Sequence, residues 1–288
     1  GTHNQPAGTW SDDGSLLLST VESLFEGFDL ILVMKYFLMW LKGNWWAHNK
    51  VFDIGGTTMA AMDRIASGVD PVKAGGVGER DNGNGSLMRI LPVALRYHNE
   101  SIEVIIDRAH RASAITHAHP VSKIACGLYC AVAALILNGM TFYESLRGIS
   151  EIAAGAYGSA PWNKELTRFR RILGGELARL PEDEIRSTGY VVDTLEASLW
   201  CLLGTGSFSE AVLKAVNLGD DADTTGCVTG GLAGLIYGYG AIPPEWIEAL
   251  SGKGDIDDLI DKFIAAKNRQ PIVPAHEEII GDGLMLDD

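Results

Sequence analysis

The sequence predicts an all-α protein folded as a single compact domain of many helices. Three observations predict it. Apolar residues recur at three- and four-residue intervals in segment after segment, convincing two-residue alternation is scarce, and glycine, proline and short polar residues punctuate the segments at helix-length spacing. No Pro/Ser-rich linker, low-complexity tract or internal repeat divides the chain.

Taken in order, the periodicity predicts a first helix from Gly14 to Glu26 and a second from Leu30 to Leu41. The stretch Phe28 to Leu41 is the most membrane-like. It is about 14 residues long and carries Asp29 and Lys35, short of the ~20 apolar residues a span needs, so a buried helix is expected. Helices over Thr57 to Ser67, Ser86 to Tyr97 and Ile102 to Ser113 follow, with Gly68 at the exit of the first of these. Pro120 opens and Gly139 closes a long apolar helix, Pro120 to Asn138, before helices at Thr141 to Ala154 and Lys164 to Leu173. Val191 to Leu203 ends at Gly204, and Ser207 is an expected N-cap for Ser207 to Val216. Thr224 to Tyr239, Pro244 to Leu250 and Ile256 to Lys267, the last capped by Asp255, complete the set. The acidic stretch Pro271 to Asp288 is expected to fray or lie loosely at the surface.

Composition bounds the function classes. With 47% apolar and 21% charged residues in 288, the chain has the balance of an ordinary globular protein able to bury a substantial core. A net charge of −14, from 37 acidic and 23 basic residues, argues against nucleic acid as a general partner, although a small anion can still be held locally by backbone N–H groups or cations. Cys126, Cys130, Cys201 and Cys227 form no CxxC pair and no zinc-spaced set, so buried free thiols and a cytoplasmic setting are expected. Gly1 to Gly8 has neither the basic start nor the apolar core of a signal peptide, and neither a membrane nor a membrane partner is expected.

The chemistry concentrates in four segments. Asn217 to Gly226 reads Asn-Leu-Gly-Asp-Asp-Ala-Asp-Thr-Thr-Gly, a glycine-flanked bend with carboxylates at Asp220, Asp221 and Asp223 and hydroxyls at Thr224 and Thr225. Oxygen-only ligands suit Mg²⁺, Mn²⁺ or Ca²⁺. Each acidic residue could instead cap the helix that follows, but carboxylates this close repel one another and would be costly to bury without a cation. Thr9-Trp10-Ser11-Asp12-Asp13-Gly14 offers the same chemistry and the same capping alternative. Together the two clusters could supply a pair of cations sharing bridging oxygens. Asp81 to Arg89 is a glycine and amide loop running into a helix, a geometry that presents N–H groups to an anion. In Thr116-His117-Ala118-His119-Pro120, a ligand contact is favoured over metal binding, since no third histidine or cysteine is close.

In this order, Gly8-Thr9-Trp10-Ser11-Asp12-Asp13, Asn82-Gly83-Asn84-Gly85-Ser86-Leu87-Met88-Arg89, Thr116-His117, Gly189-Tyr190-Val191-Val192-Asp193-Thr194-Leu195 and Asn217 to Gly226 resemble the ADP-ribosylglycohydrolase family, which includes dinitrogenase reductase-activating glycohydrolase. The resemblance covers about Gly8 to Trp246. It implies an all-α domain whose two divalent cations, Mg²⁺ or Mn²⁺, lie in a cleft that hydrolyses the glycosidic bond joining ADP-ribose to an acceptor, either an ADP-ribosylated protein or a small ADP-ribosyl substrate. By motif match Ser11, Asp12, Asp13, Asp221, Asp223 and Thr224 would be metal ligands, Ser11 standing where Thr is also common. Gly83, Asn84, Gly85 and Ser86 would lie along the ADP-ribose with His117 nearby, and Gly189 and Tyr190 as further contacts. Members usually begin with a glycine- and alanine-rich helix followed by an acidic residue that helps complete the site, and no such segment is present in this sequence.

The expected mechanism has an aspartate among Asp12, Asp13 and Asp223 helping to deprotonate a water that attacks the anomeric carbon. Two other classes are weighed against it. A non-catalytic ADP-ribose-binding or crystallin-like member would bind without turnover. An all-α isoprenoid diphosphate enzyme would carry its aspartates as Asp-Asp-x-x-Asp within long helices, whereas Asp220-Asp221-Ala222-Asp223 sits in a glycine-bounded turn.

Overall fold

The computed structural model describes residues 3–267. The expected tail from Pro271 to Asp288 lies outside the described residues. Among the described residues fifteen α-helices follow one another, with 3-10 turns between them. They are α1 Asp12–Ser23, α2 Leu30–Gly43, α3 Gly56–Ala66, α4 Pro71–Ala74, α5 Leu91–Tyr97, α6 Ile102–Ala114, α7 Pro120–Leu137 and α8 Phe142–Tyr157. After them come α9 Asn163–Leu166, α10 Arg170–Leu173, α11 Val191–Leu203, α12 Phe208–Asn217, α13 Ala222–Tyr237, α14 Pro244–Ala249 and α15 Lys253–Lys267. Among the described residues there is no strand, only the isolated bridges Gly76 to His117 and Gly83 to Tyr190.

The main core forms around α7. Its residues from Val121 to Ala134 are almost all buried, small side chains such as Ala125, Ala131 and Ala133 letting α5, α6, α8, α11 and α13 approach on all sides. Pro120 to Leu137 is long and apolar enough to cross a membrane, yet 72% of it is buried among its neighbours, the pattern of a core helix. A second, smaller core gathers Leu16, Val33, Met34, Phe37, Trp40, Met62, Met88 and Ile115 between α1, α2 and α3. Most of α2 that the sequence flagged as membrane-like is therefore half of an ordinary helix interface, with Lys35 and the exposed Ile31 on its outer side.

Local chemistry explains most boundaries. Ser207 accepts from Glu210 N as the N-cap of α12, and Thr141 with Glu144 forms a reciprocal capping box on α8. Three expected boundaries differ from the structure. The helix expected from Ser86 begins only at Leu91, because Pro92 has no N–H to bond to Met88 and is tolerated only in the first turn. The segment expected as one helix over Lys164 to Leu173 is α9, a 3-10 turn at Thr167–Phe169, and α10. Asp255 is also no N-cap, since α15 starts at Lys253 and takes Asp255 into its first turn. The four cysteines are free, with Cys126, Cys130 and Cys201 buried as expected.

Three helix N-termini, those of α1, α3 and α13, open on one cleft, and the Gly83–Gly85 loop and the bend before α11 add to its lining. Their positive dipole ends gather where the acidic residues stand.

Candidate active site

The cleft has a volume of about 720 Å³ and is lined by residues from well-separated stretches of the chain, including His3, Asp12, Asp13, Asp53, Thr57, Thr58, Gly83, Asn84, Gly85, His117, Gly189, Asp221, Asp223 and Thr224. The two acidic motifs, some two hundred residues apart, meet here: Thr224 Oγ1 donates to Asp13 Oδ2 at 3.3 Å. Ser11 Oγ donates to the same oxygen at 2.9 Å. Ser11 is not on this lining but on that of the adjoining cavity, which shares Asp13, Asp53, Asp220 and Asp223 with the cleft.

Capping does not account for these residues. Ser11 occupies the N-cap position of α1 and Asp221 that of α13, yet neither makes a side-chain cap hydrogen bond. Ser11 turns to Asp13, and Asp221 Oδ2 accepts instead from Asn84 Nδ2 at 2.8 Å, which ties the acidic bend to the glycine loop. Asn84 also donates to Thr194 Oγ1 at 2.9 Å, so its amide is fixed by both neighbours.

Among the described residues no lysine or arginine lines the cleft, and the basic group against this wall of carboxylates is His3, whose Nε2 stands 3.0 Å from Asp53 Oδ1. Asp12 and Asp13, 6% and 4% exposed, have no such partner. Burial, and after it the neighbouring carboxylates Asp13, Asp53 and Asp223, pushes the Asp12 carboxyl far above its usual range. Asp13 is raised likewise by burial and then by Asp223, with the Ser11 hydrogen bond opposing. Asp13 Oδ1 is buried with no hydrogen-bond partner. A cluster of hard oxygen donors with an orphaned carboxylate oxygen and no lysine or arginine is a donor set that fits divalent cations. Among the described residues no three Asp, Glu, His or Cys side chains converge into a ready-made cage. The carboxylates stand along a wall, with the Thr224 hydroxyl against Asp13.

Asp53 is a site residue that no sequence motif indicated. It lines the cleft within hydrogen-bonding reach of Asp223, and burial and that neighbour raise its pKa. Its φ of 66° places it in the left-handed region, which aspartate tolerates better than most residues. The one local hint is Gly55-Gly56-Thr57-Thr58, which begins two residues further on and enters α3, and it points to the loop rather than to the aspartate. Asp220, at φ 47°, is exposed at the rim.

Of the residues expected along a ligand, Gly83, Asn84, Gly85, His117 and Gly189 line the cleft. Two do not. Ser86 is fully buried, its hydroxyl against Cys126 Sγ at 3.4 Å and accepting from Ser113 Oγ at 2.9 Å, because the 3-10 turn Asn84–Ser86 rotates it into the core. Tyr190 is half-buried outside the lining, its hydroxyl accepting from Arg168 Nη1 at 3.3 Å. His117 is buried and neutral over the physiological range, since burial, and after it the charge of Arg89, lowers its pKa to about 3. His119 is the N-cap of α7, accepting from Val121 N at 3.3 Å.

The chain matches the family model described as ADP-ribosylglycohydrolase over residues 1–272. It is 30% identical over 261 residues to the ADP-ribosylarginine hydrolase Tri1 of Serratia proteamaculans, covering 89% of this chain and 67% of that one. To Tri1 of Pseudomonas putida it is 32% identical over 268 residues, covering 89% and 66%, so the chain spans about two thirds of these relatives' length. The ADP-ribosyl-[dinitrogen reductase] glycohydrolase of Rhodospirillum rubrum is 28% identical over 264 residues, covering 90% of this chain and 80% of that one. A solved structure of an ADP-ribosylglycohydrolase-related protein complex superposes with a TM-score of 0.77 at 33% identity, covering 93% of this chain and 85% of the other.

Proposed function

The chain belongs to the ADP-ribosylglycohydrolase family, and from that premise we propose that it hydrolyses the glycosidic bond between ADP-ribose and an acceptor with the help of two divalent cations, Mg²⁺ or Mn²⁺. The acceptor is an ADP-ribosylated protein side chain or a small molecule. ADP-ribosylarginine is the first to test, because the Tri1 relatives are named for it.

The observation that carries the metal reading is the buried Asp12–Asp13 pair, with Asp13 Oδ1 unpartnered, facing Asp53 and Asp223 in a cleft that no lysine or arginine lines among the described residues. Ser11, Asp12, Asp13, Asp221, Asp223 and Thr224 would hold the cations. When bound, they supply charge that neutralises this wall, positions ribose hydroxyls and acidifies water.

The remaining steps belong to the chain's own residues. The Gly83–Gly85 loop lets a ligand approach the backbone closely, with the neutral His117 beside it. A carboxylate among Asp12, Asp13 and Asp223 accepts the proton of a water attacking the anomeric carbon. As the glycosidic bond breaks, the ribosyl carbon gains positive charge, which the carboxylates stabilise, and the acceptor leaves with the bonding electrons.

The test is ADP-ribose release from ADP-ribosylarginine protein with Mg²⁺, with Mn²⁺ and with chelator, in wild type, Asp13→Ala and Asp223→Ala. Release only with cation, and lost in both variants, is expected. Undiminished release in the variants or in chelator would sink the metal reading.

A further inference from the structure

Arg89 is completely buried, at 0% exposure, and its surroundings contain no carboxylate to pair with it. Nη2 uses both its protons, one on the Ala112 carbonyl at 3.1 Å and one on Thr116 Oγ1 at 2.8 Å, while the guanidinium carbon lies 4.8 Å from the centre of the Phe37 ring. Nε and Nη1 have no partner at all. A buried unpaired guanidinium is a costly way to fill a core that Met or Leu would fill well. Its position suggests another role, because the hydroxyl it binds also contacts a cleft residue.

We infer that Arg89, acting through Thr116, fixes His117 as its Nε2–H tautomer and so maintains a hydrogen-bond donor at the Gly83–Gly85 edge of the cleft. Arginine only donates, so Thr116 Oγ1 must be the acceptor of the Arg89 contact. The hydroxyl keeps one proton of its own, and its other contact is His117 Nδ1 at 2.8 Å. If Nδ1 carried the ring proton, Thr116 would accept twice and its own buried proton would have no acceptor. Nδ1 is therefore the lone-pair nitrogen, and the proton sits on Nε2.

Nε2 opens on the loop. It lies 3.5 Å from where a Cβ on Gly83 or on Gly85 would stand, so only glycine at these positions keeps its approach clear. The same positive charge behind the ring opposes a second ring proton, so the donor is a neutral N–H that does not switch with pH near neutrality. Arg89 and Thr116 are positioning residues. The identity of the anion met by this N–H, a diphosphate of ADP-ribose, rests on the proposed function, whereas the tautomer does not.

The experiment is a long-range ¹H–¹⁵N correlation spectrum of the ligand-free chain with ¹⁵N-labelled histidine, His117→Gln identifying the resonances. Wild type and Thr116→Ser are expected to show a pyridine-type Nδ1 and a pyrrole-type Nε2 at His117, a pattern that Thr116→Val and Arg89→Met lose. Calorimetric titration with ADP-ribose is expected to show about tenfold weaker binding for Thr116→Val, the size of one hydrogen bond to a charged group, with Thr116→Ser within roughly twofold of wild type. A wild-type His117 protonated on Nδ1, or a Thr116→Val spectrum with the wild-type pattern, overturns the inference. So does unchanged ADP-ribose affinity in a Thr116→Val protein whose tautomer has changed. If Arg89→Met does not fold, the wild-type spectrum and the two Thr116 variants still decide it. A wild type that shows the Nε2–H pattern yet binds no ADP-ribose would overturn the proposed function and leave the tautomer standing.

Discussion

The carboxylate wall of the cleft and the donor wall around Gly83, Gly85 and His117 differ in how far the protein itself completes them. On the donor wall, Asn84 is bonded to both Thr194 and Asp221, and His117 Nδ1 is bonded through Thr116 to a buried arginine. On the carboxylate wall, Asp13 Oδ1 has no partner, and the buried Asp12 and Asp13 face the exposed Asp53 and Asp223 with no lysine or arginine among the described lining residues. Preorganised neutral donors need nothing further before a ligand arrives, while a buried pair of carboxylates is finished only by protons or by cations. One wall is rigid in its design and the other is conditional on what binds it.

Removing a donor atom from the conditional wall should have the largest effect. Asp13→Ala and Asp223→Ala are expected to lower the rate of ADP-ribose release by about a hundredfold or more, as loss of a charge-stabilising group in a dry site does. The contrast with the donor wall predicts that ADP-ribose affinity of these variants, measured in chelator, stays close to that of wild type. Loss of that affinity would show that the two walls are not separable.

Cation binding should next appear as stability. Added Mn²⁺ or Mg²⁺ at a hundredfold excess over its Kd is expected to stabilise the fold by about 2.7 kcal/mol, read as a rise in Tm by calorimetry. Asp12→Asn removes a buried carboxyl that the metal-free protein keeps neutral only by taking up a proton on folding, so it should raise stability in chelator by about 1–2 kcal/mol while diminishing the cation response. A variant less stable than wild type in chelator would mean that the carboxylates are not in conflict. The donor wall gives the matching control. A Cβ at Gly85 would stand 2.9 Å from Thr58 Oγ1 and 3.0 Å from His117 Cε1, both on buried side chains, so Gly85→Ala forces a shift. It is expected to cost about 1–2 kcal/mol of stability and to weaken ADP-ribose binding, leaving the cation response intact.

How legible each wall was in the sequence follows from the same difference. Asp12, Asp13, Asp221 and Asp223 could be singled out because carboxylates this dense are costly in any structure without a counter-ion. Val191–Leu203 was readable to the residue because its apolar spacing ends on a glycine. Asp53 was not readable, since a lone aspartate in a loop has no periodicity and its meaning comes from Asp223 folding next to it. The inward turn of Ser86 depends on a 3-10 turn of three residues, too short to leave a pattern, and the break at Phe169 within the segment expected as one helix was equally silent. Pro92, by contrast, was a visible signal for the late start of α5 that the periodicity of its neighbours outweighed. Arg89 stood in a motif, but nothing in its neighbours said that it would be buried without a carboxylate.

The smallest expected effect concerns acid. His117 is held neutral in the folded protein with a pKa near 3, against about 6.5 for an unperturbed histidine. Below the unfolded value, the unfolded chain binds a proton that the folded protein refuses, so the contribution of His117 to stability is complete above pH 6.5 and is lost as pH falls towards 3. At pH 5.5 the loss amounts to about 1.4 kcal/mol, one pH unit of differential protonation. The carboxylate wall works in the other direction in the metal-free protein, because Asp12 and Asp13 hold protons more tightly when folded. The two slopes oppose each other, so the measurement must be a difference: urea unfolding of wild type and His117→Gln in chelator at pH 7.5 and 5.5. The gap between the two proteins should narrow on acidification by roughly the stated amount, since only wild type carries the refused proton. A gap that stays constant would mean that His117 accepts a proton in the folded state near pH 5.5, and that the donor wall, like its neighbour, is conditional.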